Sequence, residues 1–218
     1  MYTLRPYQKQ ASDAAVRAFT GKTKKNGLLI LPTGAGKSLV IADIASKLDS
    51  PLLIFCPSKE ILEQNFAKLQ SYGVFDCGVY SASVGCKDIN RITFATIGSV
   101  MNYMKDFQHF KYVMVDECHL CNAEGGGQYK TFFEAADRQV IGLTATPYRL
   151  GRGLNGNSML KFLTRTRPRI FDEVLYYCQI SELLAKGYLA DLRYFDCTQL
   201  DMSNVHANST GNDLMKTP

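Results

Sequence analysis

A short turn of small residues follows an apolar run and precedes a helical pattern, and this order constrains the fold more than any other feature of the chain. The run Gly27-Leu28-Leu29-Ile30 predicts a buried strand, and the next residues read Leu31-Pro32-Thr33-Gly34-Ala35-Gly36-Lys37-Ser38. A glycine turn at a helix start points backbone N–H groups at an anion such as a phosphate. In such a turn Lys37 adds a cation and Ser38 a magnesium ligand.

A pair of carboxylates follows a later apolar strand, in the segment Val113-Met114-Val115-Asp116-Glu117-Cys118-His119. Asp116 can hold magnesium directly or through water, and Glu117 can poise an attacking water. The usual phosphate-loop pattern has a glycine at the position of Leu31, so the first segment alone also fits an ordinary helix N-terminus. Together the two segments predict a site that binds and hydrolyses a nucleotide.

Composition permits a polyanionic partner without requiring one. The 218 residues are 46% hydrophobic, and 25 basic and 20 acidic side chains give a formal charge of +5. Between Arg149 and Arg169 there are six basic residues and no acidic one, which favours nucleic acid, although charge runs are often solvated surface. Arg149 is the strongest candidate for a contact, because it follows the last predicted strand end.

The cysteines and the hydropathy pattern narrow the cellular setting. Seven scattered cysteines and an N-terminus without an apolar signal-peptide core predict a reducing cytoplasm. No apolar run approaches the roughly 20 residues of a membrane-spanning helix, so we expect no membrane partner. Cys118 and Cys121 form a C-x-x-C pair without a second ligand pair, so we expect buried thiols and no structural zinc.

Strands alternate with helices over the first 150 residues. Continuous apolar strands of this kind indicate a parallel sheet covered on both faces, and hence a three-layer, doubly wound α/β domain. The predicted strands are 27–31, 52–56, 77–80, 92–96, 112–115 and 139–143, and the predicted helices are 6–19, 37–48, 59–72, 97–104 and 128–137. The carboxyl ends of such strands share one edge, where ligands collect.

The pattern weakens after residue 150. For residues 151–197 we predict a loose, basic loop that extends the same lobe, with a helix at 181–186 and a strand at 192–197. The mostly polar segment 198–218 is predicted to be a poorly ordered tail.

Six segments, read in order, resemble the first motor lobe of superfamily 2 helicases, which has a RecA-like fold. The resemblance covers roughly residues 1–197. Within it, the Asp-Glu-Cys-His box, the run from Thr144 to Gly151 and the later segment from Phe171-Asp172 to Gly187-Tyr188-Leu189 are most similar to the RadD and XPB-like branch. The segments are Leu4-Arg5-Pro6-Tyr7-Gln8, Pro32 to Ser38, Pro57-Ser58, Ala95-Thr96-Ile97-Gly98-Ser99, Asp116-Glu117-Cys118-His119 and Thr144-Ala145-Thr146-Pro147.

For the nucleotide, the resemblance implies ATP with Mg²⁺. Gln8, with Arg5 and Tyr7 beside it, would contact adenine, since an amide can both donate to and accept from the base edge. The phosphates would be held by Thr33, Gly34, Ala35, Gly36, Lys37 and Ser38. Lys37, Asp116 and Glu117 would carry the catalysis, with Ser38 and Asp116 on the metal.

For movement on nucleic acid, the resemblance implies two further sets of residues. Thr144, Ala145 and Thr146 would couple hydrolysis to movement, with His119 connecting them to the carboxylate box. The strand-binding set would be Pro57, Ser58, Lys59, Thr96, Ile97, Gly98 and Ser99, whose N–H and hydroxyl groups would bind phosphates without reading bases. Ordinary helix capping by Ser58 and Thr96 is the alternative.

The family's second RecA-like lobe, with its arginine finger, has no counterpart after residue 150. Since such an arginine contributes roughly 10³-fold or more to the rate, we expect the chain alone to bind ATP and hydrolyse it slowly. DNA is the expected partner rather than RNA, on the branch resemblance alone. Two other functions stay open: the motor of a restriction-type DNA-translocating subunit, and a non-catalytic nucleic-acid-binding module with a vestigial nucleotide site.

Overall fold

An eight-stranded sheet forms the centre of the computed structural model, which describes residues 3–123, 126–152, 158–191, 205–207 and 214–216. The strands in chain order are β1 (Gly27–Ile30), β2 (Leu52–Phe55), β3 (Cys77–Ser81), β4 (Cys86–Lys87), β5 (Ile92–Ala95), β6 (Tyr112–Val115), β7 (Gln139–Thr144), β8 (Tyr148–Arg152), β9 (Ser158–Phe162), β10 (Glu173–Tyr177), β11 (Val205–Ala207) and β12 (Leu214–Lys216). Across the sheet the order is β10-β1-β7-β6-β2-β5-β3-β4. Its pairs are parallel except that of β3 with β4.

Side chains of the central strands alternate between two buried clusters, one on each face of the sheet. On β1, Leu28 packs into one cluster and Leu29 into the other, and on β6, Val113 and Met114 divide in the same way. All four are fully buried. Burying such a side chain contributes about 1.5–3 kcal/mol, so packing on both faces stabilises the sheet, as is usual for parallel strands.

Helices cover both faces of the sheet. They are α1 (Pro6–Thr20), α2 (Lys37–Lys47), α3 (Lys59–Gln70), α4 (Ile97–Met101), α5 (Gln128–Glu134) and α6 (Ile180–Ala185). Phe19 of α1, Ile41 of α2, Leu62 of α3 and Leu183 of α6 belong to one cluster. Val100 of α4 and Phe132 of α5 belong to the other. The predicted three-layer α/β fold is thus confirmed.

The region after residue 150 differs from its prediction. The domain boundary at 150 falls inside β8, which forms an antiparallel hairpin with β9 where a loose loop was expected. β10 adds a parallel edge strand beside β1, with Gly27 opposite Glu173. Three of its five residues, Glu173, Val174 and Tyr177, are exposed, and the other two are half-buried. An edge strand with so little burial lacks the continuous apolar signal of the central strands.

Two shorter differences concern helices and the tail. The predicted helix 97–104 is the short α4, followed by a 3₁₀ helix at Met104–Phe107. The strand predicted at 192–197 lies outside the described residues, as does most of the segment 198–218, within which β11 and β12 pair antiparallel. In the part of the chain that is described, no helix is both long and apolar enough to cross a bilayer.

Candidate nucleotide and nucleic-acid site

The carboxyl ends of five parallel strands meet at one edge of the sheet, as the sequence predicts. Backbone hydrogen bonds tie these ends together just beyond the strands. Leu31 N donates to Thr144 O at 3.0 Å, and Asp116 N donates to Phe55 O at 2.9 Å. The predicted phosphate loop, the carboxylate pair and Thr144 are therefore neighbours, although they come from distant parts of the chain.

The turn between β1 and α2 needs its glycines. Gly34 and Gly36 both have φ of +80°, in the left-handed region, and Gly36 caps the N-terminus of α2. A Cβ atom at Gly36 would lie 2.6 Å from Nε2 of Gln8, too close for any real contact. The turn thus places the positive end of the α2 dipole, with its free N–H groups, at the edge where an anion would bind.

The start of α1 is fastened to this turn. Tyr7 donates its hydroxyl to Ala35 O at 2.9 Å, and Gln8 Nε2 donates to the same oxygen at 2.8 Å. Gln8 Oε1 accepts from Arg5 N at 2.9 Å. An amide has two N–H donors and two acceptor positions, so Gln8 keeps one of each beyond these bonds.

A segment after α6 closes on the same corner, and sequence reasoning did not place it at the site. The Arg5 guanidinium lies 4.6 Å from the ring centre of Tyr188 and donates to Tyr188 O at 2.9 Å. The rings of Tyr7 and Tyr188 are 5.6 Å apart. Leu189 Cδ2 lies 3.0 Å from where a Cβ of Gly34 would be. These contacts join residues that are far apart in the sequence, so no local sequence pattern predicts them.

Glu117 is held between two cationic or polar partners. Its Oε1 lies 2.8 Å from Lys37 Nζ, and its Oε2 lies 3.3 Å from His119 Nδ1. Among the described residues it is also the single non-glycine residue with a positive φ, at 50°. Strained backbone of this kind persists where the surroundings enforce it, often at functional sites.

Asp116 is 4% exposed, and both of its carboxylate oxygens accept hydrogen bonds. Oδ1 accepts from Glu117 N at 3.0 Å, and Oδ2 accepts from Asn65 Nδ2 at 2.9 Å. Burial is the main cause that raises the pKa of Asp116 above its usual value. Since burying a carboxylate is costly, a cation bound here would offset that cost. Asn65 was not among the residues singled out from sequence.

The donor set suits a metal ion that is bound together with a nucleotide. No group of three or more His, Cys, Asp or Glu side chains among the described residues could form a metal cage of its own. Magnesium commonly uses one or two protein oxygens, with substrate phosphates and waters completing its shell. Ser38, at the start of α2, and Asp116 fit that pattern.

Thr144 connects the carboxylate box to the end of β7. Its hydroxyl lies 3.0 Å from His119 Nδ1 and accepts from Thr146 N at 3.0 Å. The coupling residues named from sequence therefore meet, with Ala145 between the two threonines. Through His119 and Glu117, a continuous set of contacts leads from Thr144 to Lys37.

A depression of about 480 Å³ lies on the same edge of the sheet and is here called the strand groove. Its lining includes every strand-binding residue predicted from sequence except Arg149. The full set is Cys56, Pro57, Ser58, Lys59, Ala82, Ser83, Thr96, Ile97, Gly98, Ser99 and Tyr129. Four were missed from sequence: Cys56, which directly precedes the predicted set, Ala82 and Ser83 in the turn after β3, and Tyr129 on α5.

Hydroxyl groups of the strand groove bond to one another and to backbone. Thr96 Oγ1 lies 2.9 Å from Ser99 Oγ, which also accepts from Ala82 N at 2.8 Å. Ser58 caps α3 by accepting from Ile61 N at 3.4 Å, a bond that is compatible with phosphate binding at the same helix N-terminus. Thr96 makes no side-chain cap to its helix.

Arg149 lies away from the groove, on β8. Its guanidinium donates to Cys121 O and approaches Asn122 Oδ1 at 3.4 Å. In the hairpin it stands opposite Lys161. The basic stretch thus includes a folded hairpin, and Arg149 is partly engaged in holding that hairpin to the segment after His119.

Residues 1–149 match the family model described as type III restriction enzyme, res subunit. The chain is 31% identical over 147 residues to the DNA 3'-5' translocase XPB2 of Sulfurisphaera tokodaii, covering 67% of this chain and 31% of that protein. It is 28% identical over 208 residues to the general transcription and DNA repair factor IIH helicase/translocase subunit XPB of Danio rerio, covering 87% and 24%. The chain thus spans less than a third of the length of these two relatives.

Solved structures show the same fold. A nuclease-deletion mutant of the type ISP restriction-modification enzyme LlaGI, in complex with a DNA substrate mimic, has a TM-score of 0.59 at 16% identity, covering 86% of this chain and 21% of that one. The UvsW helicase from bacteriophage T4 has a TM-score of 0.59 at 20% identity, covering 80% and 60%. With a family model that matches residues 1–149, the chain belongs to the type III restriction enzyme res subunit family, whose domain is the N-terminal lobe of superfamily 2 helicases.

Proposed function

We propose that this chain is the first, ATP-binding motor lobe of a DNA-dependent ATPase of the helicase and translocase type. The observation that carries this proposal is the pairing of Lys37 with Glu117 at the phosphate loop, next to the buried Asp116. A vestigial nucleotide site would have no reason to keep all three groups in contact range. The name of the relative XPB2, a DNA translocase, supports DNA over RNA.

In this proposal each group has a separate task. The glycine turn and Lys37 would bind the phosphates, and Ser38 and Asp116 would hold Mg²⁺, which would supply positive charge when bound. Glu117 orients and deprotonates the attacking water. The contact set from Glu117 through His119 to Thr144 relays the state of the nucleotide to the edge that carries the strand groove.

The strand groove would hold one nucleic-acid strand through its phosphates. Hydroxyl groups of Ser58, Thr96 and Ser99, with the ammonium of Lys59, offer donors and charge but no set of groups that reads a base edge. Such contacts give affinity without sequence preference. We also propose that a second RecA-like lobe of a longer polypeptide closes over this edge.

ATP affinity and ATP turnover of Lys37→Ala, with and without single-stranded and duplex DNA, test the proposal. Lys22→Ala is the matched control, since Lys22 is an exposed lysine outside the site. We expect Lys37→Ala to lose ATP binding and Lys22→Ala to match the wild type. Unchanged ATP affinity in Lys37→Ala would overturn the assignment of the site.

A restriction-type DNA-translocating subunit is the second candidate, favoured by the description of the matching family. Both candidates use the same lobe and the same ATP site. They differ in what accompanies the lobe, since in the restriction-type complex the motor moves duplex DNA and a separate domain cuts it. A nuclease domain in the parent polypeptide would favour the restriction-type motor.

A further inference from the structure

We propose that Asn65 is a positioning residue for the magnesium site. Asn65 holds the Asp116 carboxylate in the orientation that a bound Mg²⁺ nucleotide requires. The inference rests on the proposed function and adds a residue that no sequence motif indicated. Asn65 lies in the middle of α3 and is 1% exposed. Its Nδ2 donates to Asp116 Oδ2 at 2.9 Å.

The position of Asp116 is fixed from two sides. Glu117 N holds Oδ1 and Asn65 holds Oδ2, so the carboxylate cannot rotate without losing a charge-assisted hydrogen bond. A carboxylate oxygen accepts about two hydrogen bonds. Each oxygen therefore keeps a lone pair for a cation or for a water bound to it.

A neutral donor suits this task better than a charged one. Lysine or arginine in place of Asn65 would neutralise Asp116 and repel a divalent cation. The amide stabilises the carboxylate while leaving its charge uncompensated. The nearby ammonium of Lys37 pairs instead with Glu117, so Asp116 retains its charge for the metal.

Burying the Asn65 amide also lowers the stability of the fold, which argues that the residue serves a role other than stability. Its second contact is a weak one, from Nδ2 to Cys56 Sγ at 3.5 Å. Its Oδ1 is buried without a hydrogen-bond partner among the described residues. Leucine has the same branched arrangement of side-chain heavy atoms and would remove the unpaired Oδ1, so what asparagine adds at this position is the bond to Asp116.

The test measures how much Mg²⁺ tightens nucleotide binding. A fluorescent ADP analogue is titrated into the full chain with Mg²⁺ and, separately, with EDTA, for the wild type, Asn65→Leu and Asn65→Asp. Gln70→Leu is the control, since it makes a similar replacement at an exposed position of the same helix. Asp116→Asn sets the value for a lost carboxylate.

For Asn65→Leu we expect affinity in EDTA within about twofold of the wild type, and a tightening by Mg²⁺ that is weaker by about tenfold, the size of one charge-assisted hydrogen bond. Asn65→Asp should lose the tightening as well, because its carboxylate has no N–H to donate to Asp116 Oδ2 and repels it. Asn65→Asp preserves the size of the side chain, so it decides the question if the leucine variant does not fold.

Full Mg²⁺ tightening in either folded variant would overturn the inference. So would an equal loss of affinity with and without Mg²⁺, since that indicates general damage to the loop. Failure of the proposed function looks different: the wild type itself would then bind no nucleotide, or would bind it without any response to Mg²⁺.

Discussion

Lys37 Nζ lies 2.8 Å from Glu117 Oε1, which joins the first residue of α2 to the residue that follows Asp116 beyond β6. Glu117 reaches this partner from a left-handed backbone conformation, so the contact is made by a residue whose backbone is strained. Phosphates bound at the turn would compete for the same ammonium. The pair therefore connects nucleotide binding directly to the freedom of the Glu117 carboxylate.

Glu117→Gln separates binding from hydrolysis. Glutamine retains the shape of the side chain but is a far weaker base, and a general base typically contributes 10²–10⁴-fold to a rate. We expect ATP affinity within about threefold of the wild type and single-turnover hydrolysis slower by about a hundredfold or more. Glu63→Gln, at an exposed position of α3, is the control. Hydrolysis at the wild-type rate in Glu117→Gln would exclude Glu117 as the base.

Gly36→Ala tests the geometry of the phosphate loop. A left-handed non-glycine residue costs roughly 1–2 kcal/mol, and here the new methyl group would also meet the buried end of Gln8 at 2.6 Å. Gln8 would have to leave Ala35 O, so nucleotide affinity should fall by about tenfold or more.

Gly73→Ala is the control for strain alone, since Gly73 has φ of +77° with nothing within 4 Å of a Cβ atom. Chemical denaturation should give a larger loss of unfolding free energy for Gly36→Ala than for Gly73→Ala. Equal losses, together with unchanged nucleotide affinity, would show that Gln8 is not pressed against the loop.

The parts of the fold that sequence predicted are those whose signal is local. Leu28 and Leu29 lie on opposite faces of a strand that is buried on both, so β1 appears as a continuous apolar run. β10 has exposed Val174 and Tyr177 and gains its place only by pairing with β1. Its position depends on a long-range contact that periodicity does not encode.

The candidate site divides in the same way. Gly36, Lys37 and Asp116 stand in short motifs whose chemistry can be recognised in isolation. Asn65 has meaning only because α3 packs beside the end of β6, and Tyr188 only because the turn after α6 returns to Arg5. Side chains that support a site from a different helix or loop can be identified only from the structure.

The buried thiols give a chemical test of the packing around the carboxylate box. Burial raises the pKa of Cys118 and Cys121 far above the usual value of a thiol, so both stay protonated and unreactive at mildly alkaline pH. Cys86 is more exposed. Alkylation followed by peptide mass spectrometry should find Cys86 modified in the native protein, and Cys118 and Cys121 modified only after denaturation. Equal labelling of the three in the native state would contradict the burial of the C-x-x-C pair.

Thr144→Val removes one hydroxyl from the contact set that leads from Lys37 through Glu117 and His119 to the end of β7. Valine has nearly the same shape but cannot bond to His119 Nδ1 or accept from Thr146 N. Thr146 is exposed, so water can replace the lost partner there and the loss of stability should be small. The affinity for a non-hydrolysable ATP analogue in the absence of DNA should therefore change by less than about threefold.

The effect should lie in the coupling between the two ligands. Coupling free energies are typically 1–3 kcal/mol, or about 5–150-fold in affinity. We expect a non-hydrolysable ATP analogue to change the affinity of the wild type for single-stranded DNA by a factor in that range, and to change that of Thr144→Val about fivefold less. Thr20→Val, which removes an exposed hydroxyl bonded to Val16 O, should behave as the wild type. If Thr144→Val retains the full response, the path through His119 carries no coupling, because DNA and nucleotide would then still sense each other without it.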